Sequence, residues 1–280
     1  MKRLALIFTL VLPLFVGAQH TQGPIESLEG SGKLILTFDD GPSMFTPKML
    51  KLLKKHNVTA TFFIMGNKIN DQTLPLLERI INEGHILASH NWTHEWLKDI
   101  GIEQWKINYE KSMRAIVAVY DGLNLKPDQY YFRAPFGYFP EELQEAQREV
   151  NERIFGHNDC APAVGWSVKS ADWRATQFAT EMTERILWQV ADADKFNLPQ
   201  EPKYTMPRWN GGLLLAHDGI SLEELAKPAK GLRPLGQVIE TIKAVEAVLE
   251  VREKYGFEIG SLDDVEEFLP PENFECELRP

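Results

Sequence analysis

The sequence predicts an α/β protein organised around one parallel sheet, closed into a barrel or wound open. Short apolar runs alternate with longer amphipathic ones from Lys33 onward, and helical right-handed crossovers are how parallel strands are joined. Size agrees: 280 residues suit a single barrel, for which about 250 is common. With 44% hydrophobic and 25% charged residues, the chain has the makings of a large core.

Residues 1–18 read as a secretory leader. Met1-Lys2-Arg3 forms a short positive n-region, residues 4–16 an apolar h-region, and Val16-Gly17-Ala18 sets small residues before Gln19. That apolar run is short for a bilayer span, which needs about 20 residues, so cleavage and a secreted or periplasmic protein are expected. Residues 19–32 form a polar leader or linker, 33–270 the main domain and 271–280 a tail. Strands are expected at 34–38, 59–64, 86–88, 130–132, 163–166, 213–216 and 257–259. Helices are expected at 47–55, 71–82, 102–120, 140–153, 175–190 and 235–255. Ile102, Trp105, Tyr109, Met113, Ile116 and Tyr120 fall at helical spacing, so one face should pack inward. Residues 196–211 are too proline-rich for helix and read as a long loop beside the barrel mouth.

No later segment is long and apolar enough to span a membrane. The formal net charge of −10 disfavours nucleic acid and anionic membranes, and says little about a neutral sugar polymer. Cys160 and Cys276 can pair in an oxidising compartment or remain separate thiols, and spacing does not decide between them.

Reactive side chains cluster at strand ends. Asp39 and Asp40 follow the first expected strand, His90 the third, Arg133 the fourth; Asp172 lies just past the fifth and His217 ends the sixth. In a parallel barrel the C-terminal strand ends share one face, so these residues converge. His90 and His94 are four apart, which on a helical turn aims both imidazoles the same way. Alone that spacing is a weak signal. Asp40 as third ligand gives two nitrogens and one oxygen with a position left for water. Asp-Gly-Pro is also ordinary turn chemistry; beside a metal, one carboxylate binds the cation and the other accepts a proton. Because consecutive strand side chains point oppositely, the turn must re-aim one of them. His217 either caps its strand or acts as a general acid held by Asp172. Arg133 is either a surface cation or the group that positions Asp39. Among the aromatic residues, Trp92, Trp96, Trp209 and Tyr138 read as core more readily than site, and Trp173 as site.

Thr37-Phe38-Asp39-Asp40-Gly41-Pro42, His90-x-x-x-His94, Arg133-x-Pro135-Phe136, Asp172-Trp173 and Leu215-x-His217 together resemble the five ordered motifs of polysaccharide deacetylases. These are the NodB-homology type, carbohydrate esterase family four, and the resemblance runs from about Lys33 to Leu269. It implies a distorted (β/α) barrel with about seven parallel strands and the active site at their C-terminal ends. It implies Asp39 as base, Asp40, His90 and His94 as metal ligands, and His217 as acid, with Arg133 orienting Asp39 and Asp172 orienting His217. The Phe136 N–H would help stabilise the oxyanion, and Leu215 and Trp173 would line the acetyl pocket. The implied cofactor is a divalent metal, zinc first, with cobalt, nickel or manganese also suited.

The implied reaction is N-deacetylation of a polysaccharide, peptidoglycan first and chitin-type oligomers second, releasing acetate. The rival readings are an O-acetyl esterase on xylan or a similar polymer, and a non-catalytic carbohydrate-binding relative. Two positions depart from the family pattern. Asn91 stands where Ser or Thr is usual, and Lys169 stands where an Asp often precedes the Asp-Trp pair.

Overall fold

The computed structural model describes residues 28–174, 177–191, 208–220, 235–265 and 276–279. The expected leader at 1–18 and most of the expected loop at 196–211 lie outside the described residues. Twelve named elements are described: β1 (Lys33–Gly41), α1 (Thr46–His56), β2 (Thr61–Ile64), α2 (Leu74–Asn82), β3 (Ile86–Ser89), α3 (Leu97–Gly122), α4 (Glu141–Phe155), β4 (Val168–Lys169), α5 (Ala179–Val190), β5 (Gly212–His217), α6 (Leu235–Tyr255) and β6 (Glu258–Gly260).

All strand pairings are parallel, in the order β3-β2-β1-β5-β4, with β6 on the lower part of β1. Phe132 closes the gap on the far side by bridging Ser89 to Ala163. The segment around it acts as a seventh stave: Ser89 N–H donates to Tyr131 O, Arg133 N–H to Ser89 O, and Val164 N–H to Phe132 O. The result is a distorted barrel with helices outside it, as the resemblance implies.

Period-two alternation divides each strand between two cores. Leu34, Leu36 and Phe38 pack outward under the helices with Leu214 and Ala216. Ile35, Phe63, Ala88, Tyr131, Val164 and Leu213 fill the lumen, floored by Leu262 and Val265. Thr37 and Asp39 continue the inward series of β1, as Leu215 and His217 continue that of β5. The inner face therefore becomes polar only at its upper rim, where the strands end.

Five expected elements need correction. Residues 130–132 and 163–166 form isolated bridges rather than regular strands, and the regular ladder falls later, at Val168–Lys169. The helix expected from 102 starts at Leu97 and kinks at Gly101 (φ 74°). The helices expected from 71 and 175 start at Leu74 and Ala179. Before the first of these, the Asn70 and Thr73 side chains accept backbone N–H groups, holding a turn ahead of Pro75. Cys160 and Cys276 form a disulfide with Cα atoms 5.7 Å apart. It ties the tail to the loop that follows α4, and Arg279 N–H donates to Ile154 O in that helix.

Candidate active site

Asp39 and Asp40 are buried neighbours that both serve the rim, which simple strand alternation forbids. The backbone resolves this at Asp40, which sits at φ 68°, while the β1–β2 register shifts between Asp39 and Gly41. A non-glycine residue at positive φ is uncommon, and here the neighbouring loop holds it. A Cβ on Gly219 would lie 2.1 Å from the Asp40 carbonyl oxygen, so only glycine permits this approach. Lys68 donates to the carbonyls of both Asp40 and Ile220, tying the β1 loop to the β5 loop.

His90 follows β3, and its N–H donates to Ile64 O at 2.8 Å. Its Nδ1 lies 2.8 Å from the Arg133 carbonyl. A carbonyl only accepts, so Nδ1 carries the proton and Nε2 keeps its lone pair. Burial pushes the His90 pKa below its ordinary value against the pull of Asp39 and Asp40, favouring the neutral form that ligates metals. His94 does not share a helical turn with His90, as the spacing suggested. The pair spans an irregular loop turned by Asn91 at φ 64°. Asn tolerates that conformation better than most residues.

Asp40 Oδ1 is 3.6 Å from His90 Nε2 and 3.7 Å from His94 Nε2. Both separations exceed hydrogen-bond range. Donors bound at about 2.0–2.1 Å around a tetrahedral ion stand roughly 3.3 Å apart, so the triad needs little adjustment to grip one cation. Among the described residues, Asp40, His90 and His94 are the metal-ligand group of this kind. Two imidazoles and a carboxylate suit a borderline divalent ion.

Two oriented pairs flank the triad. Arg133 is 1% exposed and donates from Nη1 to Asp39 Oδ1 at 2.8 Å and Thr37 Oγ1 at 2.6 Å, from Nε to Val164 O, and from Nη2 to Gly165 O. Burial lowers its pKa and the Asp39 charge opposes the shift. Across β1, Asp39 is in register with His217 on β5. His217 Nδ1 lies 2.8 Å from Asp172 Oδ1, and His217 N–H donates to Asp172 Oδ2 at 2.8 Å. Ser170 and Thr241 hydroxyls also donate to Asp172. This network fixes the His217 tautomer, leaving Nε2 as the working nitrogen.

The remaining expected site residues lie on the same rim. Leu215 is two residues before His217, and the Trp173 ring is 6.3 Å from the His217 ring. Phe136, at φ 60°, sets its ring 4.2 Å from His94 and stacks on Trp96 at 3.8 Å. Every residue expected at the site is thus brought to one rim. Lys68, Ser170 and Thr241 were missed, and Trp96, read as core from the sequence, stands 37% exposed beside Phe136. Lys68, Ser170 and Thr241 act through contacts between elements far apart in sequence, and no local pattern marks such contacts.

Comparison with known proteins agrees with this geometry. A family model described as polysaccharide deacetylase matches residues 29–154. A chitooligosaccharide deacetylase of Rhizobium leguminosarum is 32% identical over 205 residues, covering 72% of this chain and 75% of that protein. A peptidoglycan-N-acetylglucosamine deacetylase of Bacillus cereus is 34% identical over 169 residues, 59% of this chain. The match spans only 53% of that relative's length, and 30% of a similar Listeria monocytogenes protein. In three dimensions the chain is similar to the Bc1960 peptidoglycan N-acetylglucosamine deacetylase, with a TM-score of 0.61 at 23% identity, over 85% of this chain and 89% of that one. At that identity the likeness speaks for the fold.

Proposed function

This chain belongs to the polysaccharide deacetylase family, the NodB-homology type of carbohydrate esterase family four, and from that premise we propose that it is a secreted, metal-dependent N-deacetylase. Its substrate is an N-acetylated amino sugar within a polysaccharide, peptidoglycan first and chitin-type oligomers second; the products are the free amine and acetate. The observation that carries the reading is the Asp40–His90–His94 triad standing between two oriented pairs, Asp39 with Arg133 and His217 with Asp172. A binding module needs neither a proton acceptor nor a proton donor there.

Asp40, His90 and His94 would hold a divalent cation, zinc being the first choice, which would supply Lewis-acid polarisation of the acetyl carbonyl and lower the pKa of water toward neutral. Asp39 accepts the proton of the attacking water, its carboxylate fixed by the Arg133 guanidinium. The Phe136 N–H donates to the oxygen that becomes negative as the carbonyl carbon turns tetrahedral. His217 Nε2 then protonates the departing sugar nitrogen, with Asp172 stabilising the imidazolium through Nδ1. Leu215 and Trp173 hold the acetyl methyl group. Small apolar walls suit a methyl and reject bulkier acyl groups.

The test is acetate release from intact sacculi, chitin oligomers and acetylated xylan, before and after metal is stripped and restored. Metal-dependent release from the first two supports the reading. Release from xylan alone transfers the reading to an O-acetyl esterase, and no release from any polymer overturns it.

A further inference from the structure

Lys169 stands out because the resemblance places a carboxylate at its position. It ends β4, and the ladder pairs it with Leu215 of β5. Cross-strand partners lie about 5 Å apart and share a face, so Lys169 stands on the lumen side beside the residue assigned to the acetyl pocket. With Arg133, Val164, Gly165 and Trp166 it lines a cavity of about 150 Å³ at this rim. Trp166 forms the cavity wall over Gly137, where a Cβ would meet its ring at 2.1 Å. The Arg133 cation in the same wall is committed to Asp39, Thr37, Val164 and Gly165. Lys169 is exposed, and among the described residues its ammonium forms no ion pair. Its backbone is pinned from both sides by Gln189, which accepts from Lys169 N–H and donates to Lys169 O.

We infer that Lys169 and this cavity form an anion-accepting subsite, which selects acetylated amino sugars whose ring carbon next to the acetamide carries a carboxylate-bearing substituent. The inference rests on the deacetylase reading and narrows its sugar. With the acetyl methyl against Leu215, a substituent on the adjacent carbon starts within one strand spacing of Lys169. The cavity admits a group of a few heavy atoms, such as a short ether-linked acid. An ammonium donating to a carboxylate makes a charge-assisted hydrogen bond, and a neutral hydroxyl at the same carbon neither reaches nor matches it.

The experiment compares wild type, Lys169→Met and Lys169→Asp, all metal-loaded. The substrates are chitotetraose and a peptide-free glycan of alternating N-acetylglucosamine and N-acetylmuramic acid, with mass spectrometry assigning which sugar loses acetate. The kcat/KM ratio of carboxylated to neutral sugar is expected to fall about tenfold in Lys169→Met and further in Lys169→Asp. The wild-type preference should also narrow as salt rises from about 50 to about 500 mM. A ratio within about twofold of wild type in both variants overturns the proposal. Calorimetric binding of N-acetylmuramic acid against N-acetylglucosamine separates this from the catalytic reading. If no acetate is released at all, the deacetylase reading fails, and the subsite still stands or falls on whether Lys169→Met abolishes the binding preference.

Discussion

Strand β3 carries a buried histidine at each end, and the two share little except burial. His85 precedes the strand at the barrel floor and His90 follows it at the rim; they are 5% and 2% exposed. Burial lowers both pKa values, that of His85 to about 4. At the floor, His85 Nδ1 accepts the Ala60 N–H at 3.3 Å and its ring meets Phe62 edge-on. At the rim, His90 gives its Nδ1 proton to a carbonyl and turns Nε2 toward Asp40 and Asp39. Burial makes an imidazole neutral in both places. Its neighbours decide whether a lone pair is spent on the backbone or offered to a cation.

Positive φ occurs at both ends of the barrel, at Asn57 and Asn210 in the turns that lead into β2 and β5 as well as at the rim; what differs is what stands beside it. Asp40, Asn91, Phe136 and Ala171 hold positive φ at the rim, each at or beside a candidate site residue. The floor is filled by Leu262 and Val265 against Ile35 and Leu213. Strained conformations persist where surrounding bonds over-determine them, as Lys68 does for Asp40. The rim is therefore built for placement and the floor for stability.

Substitutions at the two ends should separate these roles. Asp39→Asn or His217→Ala should lower acetate release per folded molecule by about 10²–10⁴-fold; near-wild-type turnover in a metal-loaded assay would contradict the assigned roles. Leu262→Ala, at the floor, should cost about 2–5 kcal/mol in denaturant unfolding and leave turnover per folded molecule unaltered. A third measurement uses the two histidines directly: His94→Ala should lose bound metal by elemental analysis, whereas His85→Asn should retain the wild-type complement.

His85 also makes a pH prediction. Its folded pKa of about 4 lies below the ordinary imidazole value of 6.5, so the unfolded chain binds the extra proton between those values. Stability should fall as pH drops from 6.5 toward 4, by up to about 3 kcal/mol, and fall no further from this group below that. His85→Asn should flatten that part of the stability–pH curve, and an unchanged slope would show the proton goes elsewhere. The smallest effect is expected at Lys68→Met, which should weaken metal affinity about tenfold through the Asp40 loop, read by competition with a chelator.

Much of this was legible in the sequence because it is local. The 21-residue helix α6 matches its expected bounds, since a long amphipathic period is hard to mistake. Asp39, Asp40, His90, Arg133, Asp172 and His217 were recognisable as residues that end or follow apolar runs. Residues 130–132 and 163–166 read as strands because their apolar content reports burial. Whether a buried extended segment joins a continuous ladder depends on its neighbours, and here each reaches only isolated bridges. The Cys160–Cys276 bond lay beyond the sequence for the same reason: 116 residues separate the two, and only the folded tail brings them together.

By itself the sequence determined the alternation of strand and helix, the inward placement of Asp39 and His217 through period-two patterning, and the donor types available for a cation. The tertiary structure alone decided that Asp40 turns back toward the lumen, that His90 and His94 meet through a loop rather than a helical turn, and that Thr241 reaches Asp172 from a distant helix. Side-chain chemistry and periodicity are written along the chain. A dihedral held against its preference, or a hydrogen bond across 69 residues, exists only once the barrel has closed around it.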